Sequence, residues 1–308
     1  MKGKLLNKLK LYILPLLVTI LILSAASVPA NSLAEATTTV FDYKLHSNDI
    51  QKENLPEYDG LQKQLKNYIS TRPGKVSVYV KDLATGKTLK IESDKVYVAA
   101  STIKMPLILF VYELAAQGKI DLDAELTYTS EYYAQGTGIL QGKPFGGQYT
   151  IRELSRLSME YSDNVAWKML LDFIGQDKLT AYEKTLGAKA TGGDNGLFIT
   201  TPEDMGRYLD RLLIFSKEKP EYGNEVLHYM ANSIFAEGIP RDLPQDTVVA
   251  HKMGALNDKF HDVGIVFGSR PYIITIFIDD AWEAVSLQTL ADISRMVYDY
   301  QESMKKVI

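Results

Sequence analysis

The chain has 308 residues, 46% hydrophobic and 23% charged, with a formal charge of −4. One sizeable core or two closely joined lobes is the expectation. Lys2, Lys4, Lys8 and Lys10 leave 30 basic against 38 acidic side chains in the rest, about −8, which argues against nucleic acid as a partner. Cysteine is absent, so disulfides, a lipid-modified cysteine and Cys-zinc sites are excluded and stability must come from the core.

In chain order, residues 1–34 combine a basic start, MKGKLLNKLK, with an apolar run of about 20 residues and small residues at Ala30 and Ala34. This is a signal peptide or an N-terminal membrane anchor, and either predicts an exported protein of the extracellular space or cell envelope. Residues 35–58 are polar and without sustained periodicity, a tether to a folded unit over 59–308. DGLQKQLKNYISTRPG predicts a first helix ended by Pro73 and Gly74, and the alternation of Val76, Val78 and Val80 predicts a half-buried hairpin turning at ATGK.

From about 101 to 215 the apolar spacing is helical: IKMPLILFVYELAAQ, TIRELSRLSMEY, VAWKMLLDFI, KLTAYEKTL and PEDMGRYLDRLLIF. Strands return as TVVAHKMGA, DVGIVFG and YIITIFIDD, and an amphipathic segment runs from about 281 to 307. The fold class expected is α/β, an α+β sandwich: a five-stranded antiparallel sheet flanked by helices, with a large helical lobe inserted between its hairpin and its last three strands. The four histidines show no ligand spacing, so neither a metal nor a cofactor is expected.

Three short segments carry candidate chemistry. S-x-x-K occurs three times, at Ser101–Lys104, Ser216–Lys219 and Ser303–Lys306, and the last two sit in lysine-rich surroundings at helix ends that read as solvated faces. In STIKMPLI, three-residue spacing at a helix start would put Ser101 and Lys104 on one face, with Pro106 fixing the start nearby. The same residues would serve as a capping serine and a snorkelling lysine. Ser162-Asp163-Asn164 reads alone as a junction with a new N-cap, and Lys252 with Gly254 reads alone as an edge strand with a solvated lysine. The Gly- and Tyr-rich stretch from Thr129 to Tyr149 reads either as a rim over a cleft, offering Tyr132 or Tyr133 to a ligand, or as an exposed linker.

Taken in order, S-x-x-K, S-D-N and K-x-G resemble the motif set of the class A β-lactamases, within the penicillin-recognising serine hydrolases, from about Leu61 to the C-terminus. The resemblance implies an acyl-enzyme on Ser101, with Lys104 taking its proton and Ser162 passing it to the leaving nitrogen. It implies further that Asn164 holds the ligand's amide, Lys252 attracts its carboxylate, Gly254 permits close approach, and the N–H groups of Ser101 and Ala255 receive the oxyanion. The ligand would be a β-lactam or a D-Ala-D-Ala stem peptide of peptidoglycan, the protein a monomer needing no cofactor. A protein that is acylated by or merely holds such ligands is the alternative.

Two positions depart from the family pattern. LGAKATGGDNGLFITTPEDM has no Glu before Pro202 and is about a dozen residues shorter than the loop that carries the deacylating glutamate in the family. That shortness resembles the D,D-peptidase relatives and predicts slow release of an acyl group. Glu160, Asp194, Glu203 and Asp204 are the acids that could substitute for that glutamate, and turn or capping chemistry accounts for the last three. Met253 stands where the family has Thr or Ser, which predicts a weaker carboxylate preference.

Overall fold

The computed structural model describes residues 57–194 and 197–304. The expected signal or anchor segment, and the tether up to residue 56, lie outside the described residues. Helix α1 (Asp59–Ile69) leads into β1 (Lys75–Asp82) and β2 (Thr88–Ile91), then the short β3 (Tyr97–Val98) and a 3₁₀ turn (Ala100–Ile103) that continues into α2 (Lys104–Ala116). The hairpin β4 (Glu125–Thr127) and β5 (Gln148–Thr150) precedes α3 (Ile151–Glu160), α4 (Asn164–Ile174) and α5 (Gln176–Thr185). A second hairpin, β6 (Gly192–Asp194) and β7 (Leu197–Thr200), pairs with β3 and feeds α6 (Pro202–Glu218) and α7 (Pro220–Ala231). Strands β8 (Val248–Leu256), β9 (Lys259–Phe267) and β10 (Tyr272–Asp279) then close the sheet, and α8 (Glu283–Ser303) ends the fold.

The sheet order is β2-β1-β10-β9-β8, antiparallel throughout. Because side chains alternate across a strand, each strand serves two cores. Val76, Val78 and Val80 pack with Leu61, Leu65, Leu290, Ile293 and Val297 of α1 and α8, whereas Tyr79, Ile273 and Phe277 pack with the helical lobe. The expectation of a half-buried hairpin is therefore corrected for β1: helices cover both faces of the sheet, and five consecutive residues, Val76 to Val80, are buried.

Helix α2 is apolar on every side and buried almost throughout, so it forms the axis around which the lobe packs. Helix α7 escapes a periodicity reading because Pro220 and Gly223 look like turn residues; Pro220 instead takes the first helical position. Tyr58 at the edge of the polar stretch is buried beneath α8, with its hydroxyl accepting from Gln301.

Candidate active site

The 3₁₀ turn that holds Ser101 is pinned from three directions. Ala99 N–H donates to the carbonyl of Phe198 on β7 at 2.8 Å, and the Thr102 hydroxyl donates to the Ala99 carbonyl at 2.6 Å. The third contact is β8 itself. A Cβ added at Gly254 would stand 3.0 Å from the backbone nitrogens of both Ser101 and Thr102, so only glycine lets the strand lie this close. The approach expected there of a ligand is taken up by the protein's own backbone. Ala100 holds φ at +47°, a conformation that costs an L-residue about 1–2 kcal/mol and that fixes the direction of Ser101. No side-chain cap is made by Ser101, and α2 begins three residues later at Lys104.

Lys104 is buried on α2, with its amine at the centre of four oxygens. It lies 2.5 Å from the Ser162 carbonyl, 2.7 Å from Asn164 Oδ1, 3.1 Å from Ser162 Oγ and 3.2 Å from Ser101 Oγ. Burial pushes its pKa well below that of a free lysine, and the charge of Lys252 pushes it the same way against the opposing pull of Asp163. A neutral amine has two N–H donors and one lone pair. The carbonyl of Ser162 and the amide oxygen of Asn164 can only accept, so they take the two protons and leave the lone pair for a serine hydroxyl.

Ser162 sits at φ +51°, turning its hydroxyl back between the two lysines. Lys252 Nζ donates to that hydroxyl at 2.9 Å and to the Met253 carbonyl at 3.0 Å. Alternation along β8 aims Ala250, Lys252 and Gly254 at the helical lobe, while Met253 joins the apolar cluster under α1 and α8 and supplies no donor. Lys252 is fully buried, not the solvated edge lysine of the plainer reading, and its pKa is lowered to about 7 by burial against the opposing pull of Asp262. Asp262 is held by His251 Nδ1 at 2.9 Å and by the Ile239 N–H at 2.8 Å.

Asp163 caps α4, accepting from the N–H groups of Val165 and Ala166. Its other oxygen takes the N–H groups of Ile139 and Leu140 at 2.6 and 2.8 Å. Asn164 Nδ2 reaches the Gln135 carbonyl, and Thr137 Oγ1 donates to the carbonyl of Ser162. The Gly- and Tyr-rich stretch is thus stitched to S-D-N as a wall of the site. Tyr132 points away to Asp172, and Ala134 is the member of that stretch that faces the cleft.

A cleft of about 370 Å³ opens beside Ser101, with Lys104, Asn164, Ala255 and Lys168 on its lining and mostly apolar side chains around the remainder. Ser162 and Lys252 are buried beside the cleft, and the Ser162 hydroxyl joins Lys252 to Lys104. The other S-x-x-K copies are unrelated to it. Ser216 and Ser303 bond back to the carbonyls of Leu213 and Tyr300 within their helices, and Lys306 lies outside the described residues.

Where a longer loop would carry a base, the β6–β7 hairpin presents Phe198. Asp204 is occupied beneath it, accepting the N–H groups of Lys189, Ala190 and Thr191. Glu203 pairs with Lys90 and Arg207, and Glu160 with Arg156; the side chain of Asp194 lies outside the described residues. Sequence reasoning missed the anchoring role of Asp204 and the cleft positions of Trp167 and Phe198. The i+3 spacing of Trp167 from Asn164 was the available signal. Among the described residues one trio of acids could share a cation, Asp258 at the β8–β9 turn with Asp279 and Asp280 at the end of β10, and it engages Lys75 and Lys259.

A hydroxyl in reach of a neutral, buried amine, with a second hydroxyl between that amine and an ammonium, is a site for serine acyl transfer. The profile of the β-lactamase enzyme family matches residues 60–301, and the chain belongs to that family. Among its relatives are β-lactamase SME-1 of Serratia marcescens, 24% identical over 245 residues covering 71% of this chain and 81% of the relative, and β-lactamase VEB-1 of Pseudomonas aeruginosa, 22% identical over 79% and 90%. Of solved structures, PBP-A superposes with a TM-score of 0.76 at 25% identity over 80% of this chain and 97% of that one. The TLA-1 extended-spectrum β-lactamase gives 0.73 at 23% over 80% and 99%.

Proposed function

We propose that the protein is a serine acyl-transfer hydrolase that forms an acyl-enzyme on Ser101 with β-lactams and with acyl-D-Ala-D-Ala peptides, and that it releases the acyl group slowly. The observation that carries this reading is the Lys104 amine, buried and 3.2 Å from Ser101 Oγ with its N–H donors already committed. Its lone pair accepts the Ser101 proton as Oγ bonds to the carbonyl carbon. The proton then moves through Ser162 Oγ, 3.1 Å away, to the nitrogen as the C–N bond breaks. Lys252, donating to Ser162 Oγ, favours that hydroxyl as a proton relay, and from its buried position it attracts a ligand carboxylate by field rather than by contact.

Ser101 N–H, against which β8 lies, and Ala255 N–H on the cleft edge would receive the developing oxyanion, each donor worth roughly 3 kcal/mol in such sites. Slow release is supported by the acids whose side chains are described: Glu160, Glu203 and Asp204 are each engaged elsewhere, and none bonds to Ser101, Lys104 or Ser162. A missing base costs about 10²–10⁴ in rate. The names of the relatives support the β-lactam side of the reading, and a further PBP-A structure, of a point mutant, is described as an acyl-enzyme complex with penicillin G. The basic-apolar start of residues 1–34 supports export to the cell envelope or beyond.

The test follows fluorescent-penicillin label, nitrocefin turnover and D-alanine release from a D-Ala-D-Ala peptide over time. Label that forms on wild type, persists for minutes to hours and is absent from Ser101→Ala is the expected result. Rapid nitrocefin turnover would overturn slow release, and absence of label together with absence of D-alanine release would leave a protein that only binds.

A further inference from the structure

Two aromatic rings meet edge to face on the wall of the cleft that holds Ser101. Trp167 and Phe198 have centroids 5.1 Å apart at an interplanar angle of 83°. Each is placed by backbone the site already needs. Trp167 follows Asn164 by three residues on α4, hence on the same face, and Phe198 supplies the carbonyl that holds Ala99, two residues before Ser101. On the hairpin, Phe198 pairs with Gly193, where a Cβ would stand 2.5 Å from the Phe198 ring; glycine leaves the room that ring occupies. Val98, Ile103, Ala134 and Leu256 extend the same apolar surface, Lys168 borders it, and among the described side chains no acid lines it.

We infer that the Trp167–Phe198 pair is a selectivity wall for the side chain borne on the carbonyl side of the bond that Ser101 opens, so that the site takes acyl donors carrying an aromatic or alkyl group there. This rests on Ser101 being the acylated nucleophile. Burying a phenyl group against two rings rewards such a donor over one ending in a methyl group by roughly 10- to 100-fold in acylation efficiency.

The experiment measures second-order acylation rates for benzylpenicillin, with its phenylacetyl side chain, and for the penicillin carrying acetyl in its place, by intact-protein mass spectrometry. The comparison is made on wild type first, because it needs no variant to fold, then on Phe198→Ala and Trp167→Leu. A wild-type ratio of tenfold or more that falls toward one in both variants is the expected result. Equal rates on wild type, or a large ratio that neither variant changes, would overturn the wall and leave acylation standing. No adduct from either penicillin would overturn both.

Discussion

Ser162 is the residue at which the two lysines meet. Lys104 and Lys252 approach its hydroxyl at 3.1 and 2.9 Å, and the two amines cannot both carry charge in a buried space without strong repulsion. Lys104 is the one pushed toward the neutral form, because burial and the charge of Lys252 both lower its pKa, whereas Asp262 supports the charge on Lys252. The Lys252 pKa is lowered to about 7, so its ammonium is present below that pH and discharges above it. The acylation rate of an anionic β-lactam, divided by that of its neutral methyl ester, therefore falls as pH rises from 6 to 8.5. The fall is roughly tenfold, and the ratio cancels pH effects common to the two substrates. Stopped-flow rates at four pH values decide this, and a flat ratio would remove Lys252 from carboxylate attraction.

The β6–β7 hairpin is the element that borders the site most directly, since it supports the Ser101 turn with the Phe198 carbonyl and offers the Phe198 ring to the cleft. Its stem is anchored by Asp204, fully buried, which accepts three successive N–H groups and the Thr191 hydroxyl. Asp204→Ala removes a charged acceptor and leaves those donors unpaired, an expected loss of about 2–4 kcal/mol in urea unfolding, with acylation slowed as well. A loss below about 0.5 kcal/mol would mean that the hairpin holds itself. Asp204 also shows where sequence reading stops. Thr201, Pro202 and the first-turn acids signal a helix start, and Thr201 does cap α6, accepting the Asp204 N–H. Nothing in that local pattern reveals that the Asp204 carboxylate turns away to the preceding loop. By contrast, S-x-x-K, S-D-N and K-x-G were legible, because helix spacing, a capping junction and strand alternation each fix a direction locally. Their convergence needed the family resemblance, since it depends on contacts between residues as far apart as Ser162 and Lys252.

Across the whole molecule, the same burial that tunes the site also sets how stability varies with pH. Glu183 on α5 is almost completely buried, one carboxyl oxygen lacks a partner, and its pKa is raised to about 8 by burial, with the Asp204 charge adding to it. A carboxyl that binds its proton more tightly folded than unfolded stabilises the fold fully below the unfolded pKa, near 4.5, and loses that contribution as pH rises through 8. Glu183→Gln is expected to be about 2–4 kcal/mol more stable than wild type at pH 8.5, with the advantage gone at pH 4. Denaturant titrations at the two pH values measure it, and an equal difference at both would show that Glu183 does not titrate with folding. A sheet covered on both faces and an axial helix buried on every side leave the functional groups little freedom to rearrange, so the geometry at Ser101 belongs to the fold as a whole.

The most direct measurement is peptide mapping by mass spectrometry after brief exposure to benzylpenicillin. One intact penicillin added per chain, on the peptide containing Ser101 and absent from Ser101→Ala, is the result expected of a nucleophile activated by Lys104. An adduct on another residue, an adduct that survives Ser101→Ala, or no adduct at saturating penicillin would contradict it.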